Sequence, residues 1–123
     1  MIRTVRLIIV IAAVSLLVAS MIHLEVLTTG HRHQQAGTAE AVIGAVMLVG
    51  LGLTWLPGRR PLSIGLLTLW FGLLGTLVGV FTIIIGVGPQ TTADIVYHLL
   101  LIALLATGVA VARKGRRETT TTS

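Results

Sequence analysis

The sequence has no cysteine and is poor in charged and aromatic side chains. Of its 123 residues, 11% are charged and 4% are aromatic, whereas 54% are hydrophobic. The absence of cysteine excludes disulfides, thiolate metal sites, iron–sulfur clusters and a cysteine nucleophile. A soluble domain usually carries about a quarter charged residues, and so small a domain cannot bury this much apolar surface in one core. The composition therefore excludes a soluble enzyme, a disordered chain and a secreted disulfide scaffold, and it predicts an integral membrane protein.

Four apolar segments are long enough to cross a bilayer as helices. A spanning helix needs about 20 mostly apolar residues, and none of the segments shows the two-residue alternation of a membrane barrel strand. The predicted spans cover residues 7–27, 39–56, 62–87 and 93–112. The short loops between them predict an all-α, up-down-up-down four-helix bundle in a single domain. Residues 113–123 are basic and then threonine-rich, and we expect them to form a disordered tail.

The basic residues lie at the ends of the apolar segments rather than along one surface. If the N-terminus is cytoplasmic, eight of the nine basic residues lie inside and only Arg32 lies outside, as the positive-inside rule requires. We therefore predict that both termini are in the cytoplasm of a cell-membrane protein. This placement favours a role in topology and lipid contact and argues against a nucleic-acid partner. The eight residues are Arg3, Arg6, Arg59, Arg60, Arg113, Lys114, Arg116 and Arg117.

The first span has an alternative interpretation as a signal peptide. Arg3 and Arg6 precede an apolar run that contains Val18-Ala19-Ser20, which has the small residues of a cleavage site. The apolar run continues to Leu27, and this length favours an uncleaved span.

The third span carries a regular series of glycines. They recur every seven residues, and Gly75 forms a GxxxG motif with the third of them. A seven-residue repeat keeps one face of a helix toward its neighbour, and glycine lets helix backbones approach closely in lipid. We therefore expect this helix to pack closely against a neighbour, either in the same chain or in another protein. The series consists of Gly65, Gly72, Gly79 and Gly86.

Histidines and acids collect toward the predicted outer side. Asp94 and His98 are four residues apart and share a helix face, while His23 lies near the outer end of the first span. No charge lies in the inner two-thirds of the spans, which argues against a proton pump or an ion-coupled transporter. The candidate site residues are His23, Glu25, Glu40, Asp94 and His98.

Three chemistries fit this group of residues. His23 and His98 on facing helices would ligate a haem iron from two sides. Together with the carboxylates they would bind a divalent metal ion. They would also serve as a pH-sensitive outer gate, because imidazole titrates near neutrality. The alternative is that these residues only face water and lipid headgroups.

Three stretches, residues 21–25, 39–44 and 87–98, resemble those of small, uncharacterised four-helix membrane proteins of bacteria. The resemblance implies a bacterial cytoplasmic membrane and carries no activity. No phosphate loop, nucleophile elbow or zinc-protease motif is present, so the sequence does not predict an enzyme. We expect a structural or accessory protein that associates with itself or with another membrane protein through the glycine-lined third helix. The alternative is a metal- or haem-binding protein with its site at the outer surface.

Overall fold

The computed structural model describes residues 1–123 and consists of four α-helices without strands. The helices are α1 (Ile2–His23), α2 (Gln34–Leu53), α3 (Pro61–Ile84) and α4 (Thr92–Thr121). Each helix is long and apolar enough to cross a membrane. The prediction of an all-α protein with four candidate spans is confirmed.

Apolar side chains fill the interior and also cover the outside of the molecule. Ile9, Met47 and Leu105 are fully buried where the helices meet. On the outside, Leu67 is 72% exposed and Ile84 is 76% exposed. Such extended apolar surface is rare on soluble monomers, and it suits contact with lipid.

Two of the helix boundaries that differ from their predicted positions have a clear local cause. Helix α1 ends at His23 rather than near Leu27, because the chain turns there and Glu25 adopts a left-handed φ of 57°. Helix α2 begins at Gln34, five residues before the predicted span, because the His33 ring caps it. His33 Nδ1 accepts a hydrogen bond of 3.1 Å from the amide of Ala36.

Helix α4 is the longest element and replaces the predicted disordered tail. Its 30 residues extend about 45 Å and run through Thr121. Threonine hydroxyls donate to carbonyls one turn earlier, as in the 2.9 Å bond from Thr120 to Arg116 O. Gly115 is buried, and a Cβ there would lie 2.9 Å from Sδ of Met1. The end of α4 therefore packs on the start of α1, a contact that composition alone does not reveal.

The glycine face of α3 contacts three other helices of the same chain. A Cβ at Gly65 would lie 2.6 Å from a methyl of Val5 in α1. One at Gly72 would lie 2.6 Å from Sδ of Met47 in α2, and one at Gly79 would lie 3.1 Å from Nε2 of a histidine in α4.

The other two glycines predicted to pack, Gly75 and Gly86, also have local roles in the same chain. A Cβ at Gly75 would lie 2.7 Å from Ile43 of α2. Gly86 lies beyond α3 in the following loop, where its φ of 80° favours glycine. The close neighbour expected from the glycine repeat is thus the chain itself.

Helices α1 and α3 each contact all of the other helices, whereas α2 and α4 do not contact one another. At the N-terminal end of α1, Arg6 donates to Oγ1 and to the carbonyl oxygen of Thr54, at 2.9 and 2.6 Å. The guanidinium also lies 4.2 Å from the ring centroid of Trp55. Arg6, predicted to contact lipid, instead joins α1 to the end of α2. We call this the arginine end of the molecule, and the opposite end, which contains His23, the histidine end.

Candidate functional site

Two buried ionisable side chains and one partly buried one, from three helices, meet at the histidine end. Nδ1 of His23 lies 2.7 Å from Oε2 of Glu40, and Nε2 lies 3.0 Å from Oδ1 of Asp94. The side chains of His23, Glu40 and Asp94 are 7%, 6% and 15% exposed. We call these residues the histidine triad. The triad connects α1 to both α2 and α4, the two helices that do not contact each other.

The local structure of each helix end holds the triad in place. The hydroxyl of Ser20 donates to the carbonyl of Gly37 at 2.6 Å, which fixes α1 against α2 one turn from His23 and from Glu40. A Cβ at Gly37 would lie 2.8 Å from Leu24, so only glycine permits this approach. Asp94 lies in the first turn of α4, where Thr91 accepts from its amide at 3.1 Å and donates to its Oδ2.

The two hydrogen bonds of His23 fix the number of protons in the triad. Both ring nitrogens face carboxylate oxygens, and each bond requires a proton. A neutral imidazole carries a single N–H. The second proton therefore lies either on the ring, which is then an imidazolium, or on one of the carboxyl groups. In both arrangements the triad carries a net negative charge.

His98 lies beside the triad without joining it. Its Nδ1 donates to the backbone carbonyl of Asp94 at 2.7 Å and not to the Asp94 carboxylate. The ring packs edge to face on Tyr97, with centroids 5.2 Å apart. Its Nε2 faces the backbone of α3 at Gly79, where a side chain would collide with it.

Glu25, the fifth candidate residue, lies outside the site. It follows the end of α1 by two residues, and its carboxylate accepts the amide of Gly30 at 2.8 Å within the same loop. Its role is to close that loop, because the helix that would have directed it into the bundle ends at His23.

His33 has a structural role that sequence reasoning missed. Besides capping α2, His33 binds the loop between α3 and α4: its Nε2 lies 3.0 Å from the carbonyl oxygen of Val87. The cap makes Nδ1 an acceptor and the carbonyl makes Nε2 a donor, so the ring is the neutral Nε2–H form. Its position just before a helical segment could have indicated that it caps the helix, although histidine is an uncommon N-cap residue.

The residues do not fit the metal or haem sites that the sequence suggested. No group of three or more histidine, aspartate or glutamate side chains is arranged to hold a metal ion. His23 directs both ring nitrogens at carboxylates and keeps no lone pair for a metal. The Nε2 of His98 faces a helix backbone, so these two histidines do not present a pair of axial ligands.

A cavity of about 370 Å³ opens beside the triad, between α2 and α3. Glu40 lies in its wall, and the second carboxylate oxygen of Glu40, Oε1, is buried without a hydrogen-bond partner. Gly75 and Gly79 of α3 line the facing wall. We call this space the Glu40 cavity. Its other lining residues include Leu16, Ile43, Val78, His33, His98 and Pro89.

A second and larger cavity, of about 890 Å³, lies between α1 and α4. His23 and Asp94 line it, together with Tyr97, whose hydroxyl is buried without a partner. Glu40 thus lines one cavity and the other two members of the triad line the second, while His33 and Pro89 border both. The motif of Gly75 and Gly79, which was predicted to form a packing surface, packs against Ile43 and His98 and also lines the first cavity.

Comparison of the chain with protein-family models, with curated proteins and with solved structures found no match. The resemblance to bacterial four-helix membrane proteins therefore stays a prediction from the sequence.

Proposed function

We propose that this is a multi-pass protein of a bacterial cell membrane that binds a small ligand in the Glu40 cavity. In this proposal the bundle has up-down-up-down topology with both termini in the cytoplasm, and the histidine end faces outward. The eight basic residues on the other side support this orientation.

One observation carries the proposal: a carboxylate oxygen of Glu40 is buried without a partner, and Glu40 lines a cavity. Nearly all buried polar atoms in proteins have a hydrogen-bond partner, and leaving a buried charged group unsatisfied costs several kcal/mol. Glu40 already uses Oε2 to bind His23, so Oε1 is the atom available to a ligand. A bound donor would remove the cost of the unsatisfied oxygen.

The lining residues indicate the chemistry of the ligand. A carboxylate oxygen accepts hydrogen bonds and attracts positive charge, so the ligand should carry an ammonium or another N–H donor. The adjoining walls are apolar or lack side chains, as at Ile43 and Gly75, so the rest of the ligand should be apolar. A volume of about 370 Å³ is at the lower end of the range for small-molecule sites.

The structure gives less support to the two functions that the sequence suggested. The glycines of α3 contact α1, α2 and α4, so this face is not free to bind another protein. The metal- or haem-binding function needs imidazole nitrogens that are turned toward an ion, and both nitrogens of His23 are used by carboxylates.

A binding experiment with a charged probe and its uncharged match tests the proposal. The purified protein in mild detergent is titrated with octylamine, which is an ammonium at neutral pH, and separately with octanol. Ligand that binds only the folded state raises the thermal unfolding midpoint. We expect octylamine to raise the midpoint more than octanol does, and we expect Glu40→Gln to remove this difference.

Glu25→Gln is the matched control, because it removes an acid from the same end of the molecule outside the cavity. It should respond to octylamine as the unmodified protein does. If Glu40→Gln responds to octylamine as strongly as Glu25→Gln, the cavity is not the binding site and the proposal is wrong.

The proposed orientation is tested separately, using the absence of natural cysteines. Single cysteines are introduced as Thr29→Cys in the loop after α1 and as Ser123→Cys at the C-terminus. On intact cells, a membrane-impermeant maleimide should label the first position, and it should label the second only after permeabilisation. The opposite pattern would invert the topology.

A further inference from the structure

Five arginines converge at the arginine end, from two parts of the chain that are distant in sequence. Two precede α3 in the loop after α2, and three lie on the last turns of α4. Because α4 stays helical through Thr121, its positions 113, 116, 117 and 120 share one face, which is turned toward α3. The five are Arg59, Arg60, Arg113, Arg116 and Arg117.

These arginines line two adjoining depressions. The first, of about 550 Å³, lies between α3 and the end of α4 and is lined by Leu66 and the three arginines of α4. The second, of about 500 Å³, is lined by both loop arginines, by Ser63 and by Arg116. Arg116 and Thr120 border both depressions, so the two form a continuous surface.

No carboxylate forms an ion pair with these arginines, since the only ion pairs in the protein are those of His23 at the other end. Glu118, the single acidic side chain near the arginines, lines neither depression. Ser123, the last residue, lines the second depression and forms no ion pair. Arg6 makes hydrogen bonds to Thr54, whereas the five converging guanidinium groups make no hydrogen bond to any protein atom.

We propose that Arg59, Arg60 and Arg116 form a binding site for a phosphate-bearing group. Guanidinium groups bind phosphate through paired hydrogen bonds, and several around one depression allow more than one phosphate oxygen to be held at once. The chemistry suits the phosphate of a lipid headgroup and that of a soluble anion. This inference does not depend on the proposed function of the Glu40 cavity, which lies at the opposite end.

The test compares two variants that remove the same charge from the same helix segment. Arg116→Gln removes a side chain that borders both depressions, whereas Lys114→Gln removes one that lines neither. The full chain in detergent is titrated with dihexanoyl phosphatidic acid and, separately, with inorganic pyrophosphate, at about 0.15 M salt to screen diffuse attraction. Binding is measured by calorimetry, and circular dichroism verifies the helical content of each variant.

We expect Arg116→Gln to weaken binding roughly tenfold, as for the loss of charge-assisted hydrogen bonds. Lys114→Gln should change binding by less than about twofold. Tighter binding of the phosphatidic acid would identify a lipid headgroup as the source of the phosphate, and tighter binding of pyrophosphate would identify a soluble anion. Equal weakening by both variants would show only diffuse attraction to positive charge, and that result, or no binding of either probe, would overturn the proposal.

Discussion

Replacing His23 with alanine should destabilise the folded protein strongly, because a buried carboxylate and a partly buried one lose their partner at once. Glu40 would keep no hydrogen bond, since its Oε1 has none in the native structure. Asp94 would keep its bonds to Thr91 and is 15% exposed, so water compensates part of its loss. Most of the effect should therefore come from Glu40.

The size of the effect follows from these environments. Removing one partner of a buried ion pair in soluble proteins costs about 3–5 kcal/mol. Polar interactions inside membrane proteins contribute less, on average about 0.6 kcal/mol and at most about 1.7 kcal/mol. His23 makes two such interactions and one of its partners becomes wholly unsatisfied, so we expect a loss of about 3 kcal/mol.

Reversible unfolding in mixed micelles, followed by far-ultraviolet circular dichroism, measures this loss. The informative comparison is the double variant His23→Ala with Glu40→Gln. Because a neutral amide is less costly to bury than an unpaired carboxylate, the double variant should be more stable than His23→Ala alone. A cost below about 0.5 kcal/mol for His23→Ala, or simple additivity of the two substitutions, would refute this account of the triad.

Three further predictions concern stability in the same assay. Gly65→Ala should cost about 1–3 kcal/mol, since its Cβ meets a stiff valine of α1 at 2.6 Å. Gly52→Ala is its control and should cost nothing or gain up to about 1 kcal/mol, because no atom lies within 4 Å of its Cβ. Arg6→Ala should lose about 1–2 kcal/mol with its hydrogen bonds and ring contact. Arg3→Ala, at an exposed position, should stay within about 0.5 kcal/mol of the unmodified protein. Tyr97→Phe should leave stability unchanged or raise it by up to about 1 kcal/mol, since its buried hydroxyl has no partner to lose.

Helix length and apolar composition made the four helices predictable, and they did not reveal which helices touch. The glycine repeat of α3 correctly predicted a close neighbour. It did not indicate that α1, α2 and α4 each meet a different part of the repeat, as at Gly65, Gly72 and Gly79. A repeat fixes one face of a helix, whereas the partner depends on packing between distant segments.

The candidate site was likewise predictable only in part: local patterns identified most of its residues, but not the contacts between distant segments. Sequence placed His23, Glu40 and Asp94 near one surface, and the structure brings their side chains into contact. The exclusion of Glu25 depended on a single turn at the end of α1, where helix boundaries are hard to assign within a few residues. The helical tail was missed because threonine-rich composition suggests disorder, while hydrogen bonds from Thr120 and its neighbours support a helix.

The positions of the triad residues in the chain also determine the order in which their hydrogen bonds can form during synthesis. His23 ends the first helix to be synthesised, and Asp94 follows it by 71 residues. At about 5–20 residues per second, the ribosome supplies that partner roughly 4–14 s later. After Glu40 has been synthesised and before Asp94 has been, Glu40 is the only triad partner present. During that time the second ring nitrogen of His23 has no carboxylate to bind. The last hydrogen bond of the triad therefore forms only when the fourth helix is present, and a chain truncated before α4 would leave the second ring nitrogen of His23 without its carboxylate partner.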